Sequence, residues 1–308
     1  MATTPLTDMH THIFPSEHEE AVLHRFLRRN DLKGNSLLPP LLAYMKQTGV
    51  TRVNFLLFPV SSMLFHEAIR DLPPTPEGRQ KAEEARTRIV ERIAAYNEWG
   101  VRVSQENPQI SVFLGLDPTL MDEQAMLEEM EDKVRKGAKG VKLVPIDFCA
   151  FLNDRRLWPV YDFCQARRVP IVTYAGGAYC LYSARLEQWG HPKHCAEVFK
   201  SFPRLKLNFA HMAAGAEDAF VEVASAHRPA MGDLSTRLGA VARGELSAEA
   251  LVALIRRIGA DRVMFGTNFG TGLAEVVQQQ VDVFRRLPLT NQERELIATK
   301  NFEAFIAR

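Results

Sequence analysis

The sequence lacks several features that would assign it quickly to a class of protein. No stretch approaches the roughly 18 consecutive apolar residues that span a bilayer, and no basic region followed by an apolar run opens the chain, so we expect no secretory signal. The formal net charge is only +1, which gives no basic surface for nucleic acid or for an acidic membrane. These absences predict a cytoplasmic protein without nucleic-acid or membrane partners, and they leave self-association into a homo-oligomer open.

Cysteine is scarce and is not arranged in pairs. The four cysteines show no C-x-x-C spacing, which argues against a redox motif or a zinc knuckle and predicts reduced thiols: Cys149, Cys164, Cys180 and Cys195. Linkers and low-complexity segments are also absent, so we expect one domain over residues 1–308. Hydrophobic residues make up 46% of the chain, which is an ordinary globular composition and is enough for a large core.

Short runs rich in apolar and β-branched residues alternate with amphipathic helical patterns from one end of the chain to the other. Such runs are typical of parallel strands that are buried on both faces. Eight of them, each followed by a helical pattern, predict a (β/α)8 TIM barrel. The stretch 16–48 is long for one connection and is expected to place helical structure over the barrel mouth. The predicted strands are 6–12, 52–59, 110–118, 139–145, 169–177, 205–212, 230–236 and 262–270.

The stretch "TDMHTHIFP" at 7–15 places two histidines at the end of the first predicted strand. Side chains two residues apart on a strand project to one face, so His10 and His12 would converge, as two ligands of a metal site do. In such barrels the chemistry lies at the C-terminal ends of the strands. His211 ends the sixth predicted strand and Lys142 lies near the end of the fourth. We therefore expect all four side chains at one mouth.

Several segments in order carry a resemblance to a known family. They are "DMHTHIFP", "GAKGVKLVP", "RRVPIVTYAGG", "HPKHCAEVFKSFPRLKLNFAHMAAG", "DRVMFGTNFG" and "TKNFEAFI". Together they resemble the amidohydrolase superfamily of metal-dependent barrels, in its amidohydrolase-related (amidohydrolase-2 type) branch, which holds lactone and ester hydrolases and non-oxidative decarboxylases. The resemblance implies that His10 and His12 bind a divalent metal, and that His211 binds it too or orients water and substrate. Zinc is the first expectation for the metal, with iron or manganese as alternatives.

Two positions depart from the family pattern. The strand-5 histidine ligand is replaced by Tyr174, and the strand-8 aspartate, which binds metal and takes a proton from water, is replaced by Asn268. An amide offers a carbonyl oxygen but no basicity, and a phenol is a poor ligand unless it ionises. We expect Tyr174, Asn268 and His211 to be the catalytic residues, with Tyr174 donating a proton or hydrogen bond and Asn268 acting as a weak ligand or donor.

Four further residues have expected roles, and for Lys142 three interpretations are open. Lys142 either pairs with a substrate carboxylate, or is carboxylated and bridges two metals, or is a solvated lysine with a buried stem. Tyr179 is expected to bind substrate from a loop over the mouth. Asp8 is expected to orient a ligand imidazole, and Asp233 is the nearest carboxylate that could replace the missing one.

These expectations lead to a metal-dependent hydrolase. A metal-bound hydroxide would attack an ester, thioester, lactone or amide of a small carboxylic-acid-type substrate. The alternatives are a non-oxidative, metal-dependent decarboxylase and a degenerate barrel that binds a ligand without turnover.

Overall fold

The computed structural model describes residues 5–28, 35–178, 187–271 and 274–307. Within these residues eight strands form one sheet in sequential order, and every neighbouring pair is parallel. The predicted (β/α)8 barrel is therefore confirmed. The strands are β1 Leu6–Thr11, β2 Val50–Leu56, β3 Ile110–Gly115, β4 Gly140–Leu143, β5 Ile171–Thr173, β6 Leu207–Phe209, β7 Ala230–Asp233 and β8 Val263–Met264.

Backbone hydrogen bonds between the first and last strand regions close the barrel. The Met9 N–H donates to the Phe265 carbonyl at 3.0 Å, and the Asn268 N–H donates to the His10 carbonyl at 2.8 Å. Thr11 and Phe269 form an isolated parallel bridge beyond them. The residues just after β8 are thus fixed against β1, and this contact brings two of the predicted site segments together.

Helices fill the connections between the strands. Two of them, α1 and α2, lie in the long β1–β2 connection, as expected for the stretch 16–48. No helix among the described residues is long and apolar enough to cross a membrane. The helices are α1 Glu17–Phe26, α2 Leu38–Thr48, α3 Ser61–Ile69, α4 Pro76–Glu106, α5 Glu123–Lys136, α6 Pro145–Phe148, α7 Trp158–Arg167, α8 Cys195–Ser201, α9 Glu217–Ala226, α10 Arg237–Ala242, α11 Ala248–Ile258, α12 Ala274–Arg286, α13 Asn291–Glu295 and α14 Asn301–Ile306.

Several strands end earlier than their sequence patterns predict. The eighth was predicted to run to 270, but β8 ends at Met264, since Asn268 and Gly270 adopt left-handed backbone with φ of 62° and 92°. The fifth was predicted to run to 177 and ends at Thr173. In both cases apolar residues continue past the strand into a loop that forms the barrel mouth. The pattern of apolar residues therefore does not show where the strand ends and the loop begins.

The barrel interior divides into an apolar part and a polar part. The apolar part, which we call the lower interior cluster, contains side chains from six strand regions and from α14: Met9, Leu56, Phe113, Val172, Ala210, Met264, Phe302 and Phe305. Lys206, just before β6, donates to the carbonyls of Phe305 and Ala307 at 3.1 and 2.7 Å. This contact places α14 at the N-terminal ends of the strands, so the opposite end is left for the site.

The cysteines only partly match the expectation of reduced thiols. Cys164 and Cys195 are buried free thiols, and burial raises the pKa of both. Cys149, in contrast, is disulfide-bonded. The expectation was wrong for Cys149 because spacing along the sequence says nothing about cysteines that the fold brings together.

Candidate active site

One cavity of about 280 Å³ lies at the C-terminal ends of the strands. Six residues singled out from the sequence line it: His10, His12, Lys142, Tyr174, His211 and Asn268. The remaining lining is mostly apolar, namely Leu23, Leu27, Phe58, Val144, Ile146 and Thr271. Leu23 belongs to α1, so the β1–β2 connection does contribute to the mouth. Tyr179, predicted to bind substrate, lies outside the described residues, and the roles of the other six stay predictions.

His12 is fixed by its backbone and by its ring. Its N–H donates to the Phe269 carbonyl at 2.7 Å, and its Nδ1–H donates to the Leu56 carbonyl at 2.9 Å. Gly270 passes so close that a Cβ at that position would overlap the His12 carbonyl oxygen. Because a carbonyl can only accept, Nδ1 carries the proton and Nε2 is left with its lone pair.

His10 is held by a buried carboxylate. Its Nδ1 lies 3.2 Å from Asp233 Oδ2 and 3.0 Å from Ser235 Oγ. Asp233 also accepts from Asn208 Nδ2 at 2.7 Å and from the Ser235 N–H at 3.1 Å. Burial alone would raise the pKa of Asp233, but the His10 and His211 imidazoles and the Ser235 hydroxyl outweigh it and hold that pKa below its usual range. The carboxylate therefore fixes the ring of His10, again with Nδ1 protonated.

This arrangement corrects the expectation about Asp8 and leaves the one about Asp233 a prediction. Asp233 is not among the residues that line the cavity. Its ligand oxygen, together with nitrogens of His10 and His211, does lie within a 4.8 Å group, but its oxygens are already occupied by N–H and O–H donors. Asp8, expected to orient an imidazole, accepts instead from Tyr44 Oη at 2.8 Å and from the Thr267 N–H at 3.1 Å. It ties β1 to α2 and to the residues after β8, and burial raises its pKa to about 6.

His211 lies in a strained turn. His211, Met212 and Ala213 have consecutive positive φ angles of 60°, 48° and 53°, a left-handed backbone that costs non-glycine residues roughly 1–2 kcal/mol each. The ring is anchored through Nδ1, which lies 2.7 Å from Ser235 Oγ. Strain of this kind persists only where the surroundings impose it, and it concentrates at functional sites.

All three imidazoles are neutral at neutral pH. Burial is the largest cause, and it lowers the pKa of His10 and His12 below the usual value and that of His211 to about 3. The rings also lie close together, with centroids of His10 and His12 5.2 Å apart and those of His10 and His211 4.9 Å apart. Neutral imidazole is the form that binds a metal.

The side chain of Asn268 shows whether the residues of this site fit a metal ion. Its backbone is held in the left-handed region by its hydrogen bond to His10, and its Oδ1 is buried with no hydrogen-bond partner among the described residues. A buried acceptor without a donor is costly, whereas an amide oxygen can accept a cation. The neutral imidazoles of His10 and His12 and this oxygen therefore fit a divalent metal.

Lys142 and Tyr174 occupy the rest of the polar lining. Lys142, on β4, is 3% exposed, and its ammonium has no hydrogen bond or ion pair with a described residue. Burial lowers the pKa of Lys142 to about 7, with Asp233 opposing that shift, so the interpretation as a solvated lysine is wrong. Burial raises the pKa of Tyr174 to about 12, which keeps the phenol protonated and makes it a donor.

Ser235 and Arg237 also contact the histidines of the site, and neither was predicted from the sequence. The Ser235 hydroxyl lies between the Nδ1 atoms of His10 and His211, and Arg237 Nε donates to the His211 carbonyl at 2.8 Å. The only signal available was their place at the end of the seventh predicted strand and directly after it, at the barrel end where functional residues collect.

Comparison with known proteins agrees with this architecture. The sequence profile of the family described as Amidohydrolase matches residues 7–305, so the chain belongs to that family and the resemblance is confirmed. No curated protein matches the chain.

Similar solved structures include several decarboxylases. 5-Carboxyvanillate decarboxylase from Sphingomonas paucimobilis is 15% identical, with a TM-score of 0.69 over 99% of both chains. 2,6-Dihydroxybenzoate decarboxylase from Rhizobium is 14% identical, with a TM-score of 0.68 over 99% of both. A dihydroxybenzoic acid decarboxylase from Polaromonas sp. JS666, solved with manganese and 2-nitroresorcinol, is 14% identical, with a TM-score of 0.68 over 99% of this chain and 97% of that one. At these identities the likeness shows the fold.

Proposed function

We propose that this protein is a metal-dependent, non-oxidative decarboxylase of a small, hydroxy-substituted aromatic carboxylic acid. The similar structures named as decarboxylases act, by their names, on 5-carboxyvanillate and 2,6-dihydroxybenzoate. The cavity of about 280 Å³ is near the small end of the range for ligand sites, about 300–1,000 Å³. Its size and apolar lining suit a single ring better than an extended substrate.

The observation that carries this proposal is the charge of the cavity lining. Among the described residues that line it there is no carboxylate, and Lys142 is the one ammonium group. An anionic acid therefore meets attraction and no repulsion. Hydrolysis would need a base to take a proton from water, and Asn268 stands where the family has that base. Both facts favour decarboxylation over the hydrolysis expected first.

The metal would be held by His10 and His12, with the buried oxygen of Asn268 as a weak third ligand. When bound, a divalent ion supplies Lewis acidity that polarises the carboxylate and an adjacent hydroxyl of the substrate. The related Polaromonas enzyme was solved with manganese, so we propose manganese alongside zinc and iron as metals to test.

The protein's own side chains supply binding and a proton. The Lys142 ammonium attracts the substrate carboxylate and then transfers a proton to the ring carbon that bears it. The bond from that carbon to the carboxylate breaks, CO2 leaves, and the bonding electron pair restores the aromatic ring. The Lys142 amine then takes a proton from solvent. A pKa of about 7 suits this exchange at neutral pH, while Phe58 and Ile146 contact the ring and exclude water.

The direct test is turnover of an acid against turnover of its ester. Protein loaded with manganese or zinc is incubated in D2O with 2,6-dihydroxybenzoate and related hydroxybenzoates, and in parallel with their methyl esters and with aryl lactones. We expect CO2 release and one deuterium at the former carboxyl-bearing carbon. Hydrolysis of esters or lactones without CO2 from any acid would overturn the proposal, and so would binding of the acids without turnover.

Two substitutions separate the roles of Lys142. Lys142→Arg keeps the positive charge but cannot release a proton at neutral pH, so KM should change little while kcat falls by about 100-fold or more. Lys142→Met should raise KM as well as lower kcat. Lys139→Met, an exposed lysine just before β4, is the matched control and should behave as wild type. Wild-type turnover by Lys142→Met would remove Lys142 from the mechanism.

A further inference from the structure

The segment just after β7 contacts one histidine at three points. We call residues 233–237 the β7 exit segment. Asp233 Oδ1 accepts from the His211 N–H at 3.3 Å, and Ser235 Oγ lies 2.7 Å from the His211 ring nitrogen Nδ1. Arg237 Nε donates to the His211 carbonyl at 2.8 Å. Alternate residues of one short segment therefore hold the amide, the ring and the carbonyl of His211.

The backbone that these contacts hold is one that the local sequence does not favour. His211, Met212 and Ala213 are all left-handed. Histidine is enriched in this region, but methionine and alanine are not, and none of the three is glycine. The turn therefore depends on bonds made from outside it. Of the three contacts on His211, the one from Arg237 is charge-assisted and fixes the peptide between His211 and Met212, inside the turn.

We propose that Arg237 is a positioning residue for the active site, because it holds the left-handed turn that presents His211 Nε2 to the cavity. In this arrangement the Ser235 hydroxyl donates to Asp233 and accepts the Nδ1–H of His211. Nε2 is then the nitrogen without a proton. Loss of the Arg237 bond would let the turn relax, move the ring away from Ser235 and mix the two ring tautomers. The catalytic consequence rests on the proposed decarboxylase function, but the positioning itself does not.

A purely structural role for Arg237 is the competing explanation. The guanidinium also forms an ion pair with Glu217, the first residue of α9, and so joins α9 to α10. Its side chain is 12% exposed, so its removal also leaves Glu217 without that partner. If the role of Arg237 is only structural, its substitution should lower the free energy of unfolding. The tautomer of His211 should then stay as in wild type, and kcat should not fall selectively relative to KM.

The test reads the His211 ring directly. Protein with 15N-labelled histidine rings, its metal exchanged for diamagnetic zinc, is compared by long-range 1H–15N spectroscopy as wild type, Arg237→Met, Arg237→Lys and Arg243→Met. Methionine keeps the aliphatic stem without the guanidinium. Arg243 follows the same helix and pairs with Glu245 on the surface, so it is the matched control. The His211 signals are assigned from their loss in His211→Asn.

We expect wild type and Arg243→Met to show the Nδ1–H tautomer of His211 alone, and Arg237→Met to show a mixture with the Nε2–H form. With a decarboxylation assay in hand, Arg237→Met should lose at least tenfold in kcat with KM nearly unchanged. In Arg237→Lys the ammonium can reach Glu217 or the His211 carbonyl but not both. This variant is the one to use if Arg237→Met does not fold, and it should also alter the ring 15N signals of His211. An unaltered His211 signal in a folded Arg237 variant overturns the inference, whereas absence of decarboxylation in wild type overturns only the proposed function.

Discussion

The two halves of the barrel interior are built from the same strands but are opposite in character. Below, the lower interior cluster is apolar throughout and is covered by Phe302 and Phe305 of α14. Above, three imidazoles, an ammonium, a phenol and an amide line the cavity together with apolar side chains from the surrounding loops and helices. Met9 and His10 are neighbours in sequence, yet Met9 belongs to the lower half and His10 to the upper. A register irregularity between Asp8 and Thr11 accompanies this change along β1.

The two halves contribute to the free energy of folding with opposite sign. Burial of the lower side chains stabilises the barrel, by about 1.5–3 kcal/mol for each large apolar side chain. The upper half buries polar groups, and those that accept or donate hydrogen bonds within the protein recover much of the cost. Lys142 and the Oδ1 of Asn268 do not, within the described residues. Substitutions in the lower half should therefore reduce stability and spare catalysis. Substitutions in the upper half should reduce catalysis and need not reduce stability.

The largest effect on activity should come from removing the imidazoles of His10 and His12. The change His10→Ala/His12→Ala is expected to abolish metal binding and to lower kcat/KM by about 10³-fold or more, roughly 4 kcal/mol. Plasma mass spectrometry of the purified proteins measures the metal, and the decarboxylation assay measures the rate. Equal metal content in wild type and variant would remove these histidines from the metal site.

A matching change in the lower half should spare the chemistry. Phe113 is fully buried in the lower interior cluster, so Phe113→Ala is expected to lower the free energy of unfolding by about 3–5 kcal/mol. Urea denaturation measures this loss, and kcat at a temperature where the variant is folded should match that of wild type. A fall in kcat comparable with that of the histidine variant would show that the halves are not independent.

Replacing the lysine of the upper half should raise stability. Burial lowers the folded-state pKa of Lys142 to about 7, below its ordinary value of 10.5, so folding is penalised fully below pH 7 and the penalty disappears as pH rises towards 10.5. Lys142→Met should therefore be more stable than wild type by on the order of 2 kcal/mol at pH 6, with little difference near pH 10. Urea titrations at both pH values provide the measurement. A constant difference across that range would contradict the assigned cause.

The smallest effect should come from adding a carboxylate to the cavity. Asn268→Asp restores the usual family residue, so metal affinity should rise while an anionic substrate is repelled. We expect KM for the acid to increase about tenfold, or roughly 1.4 kcal/mol, and competition with a chelator to show tighter metal binding. An unchanged KM would mean that the substrate carboxylate does not approach Asn268.

The sequence predicted the barrel well because its signals are local and repeated. Eight apolar runs alternating with helical patterns define the order of the strands, and H-x-H places His10 and His12 at the end of β1. The pattern failed at strand ends, as at 262–270, where apolar residues continue into a loop that adopts left-handed backbone at Asn268. Tyr174 does line the cavity, as predicted from its match to the family's strand-5 histidine.

The sequence could not predict the contacts that orient the imidazoles. Asp233, Ser235 and Arg237 act on His10 and His211 through the closed barrel, and no spacing along the chain indicates which hydroxyl or carboxylate meets which ring. Asp8 illustrates the same limit, since its closeness to His10 in sequence suggested a contact with that ring. Asp8 accepts from the backbone N–H of His10 but does not contact its ring. Its other partners are Tyr44 and Thr267, which only the folded chain brings near.

The pairing of His10 with Asp233 also sets the order in which the site can be assembled during protein synthesis. The two residues are 223 positions apart, so at roughly 5–20 residues per second the ribosome needs about 10–45 s to add the second after the first. Throughout that interval the nascent chain carries the H-x-H pair without the carboxylate and hydroxyl that select the tautomer of His10. An ion bound by the two histidines at that stage would be held by an unformed site, so the proposed metal site could select its ion only after β7 has joined the barrel.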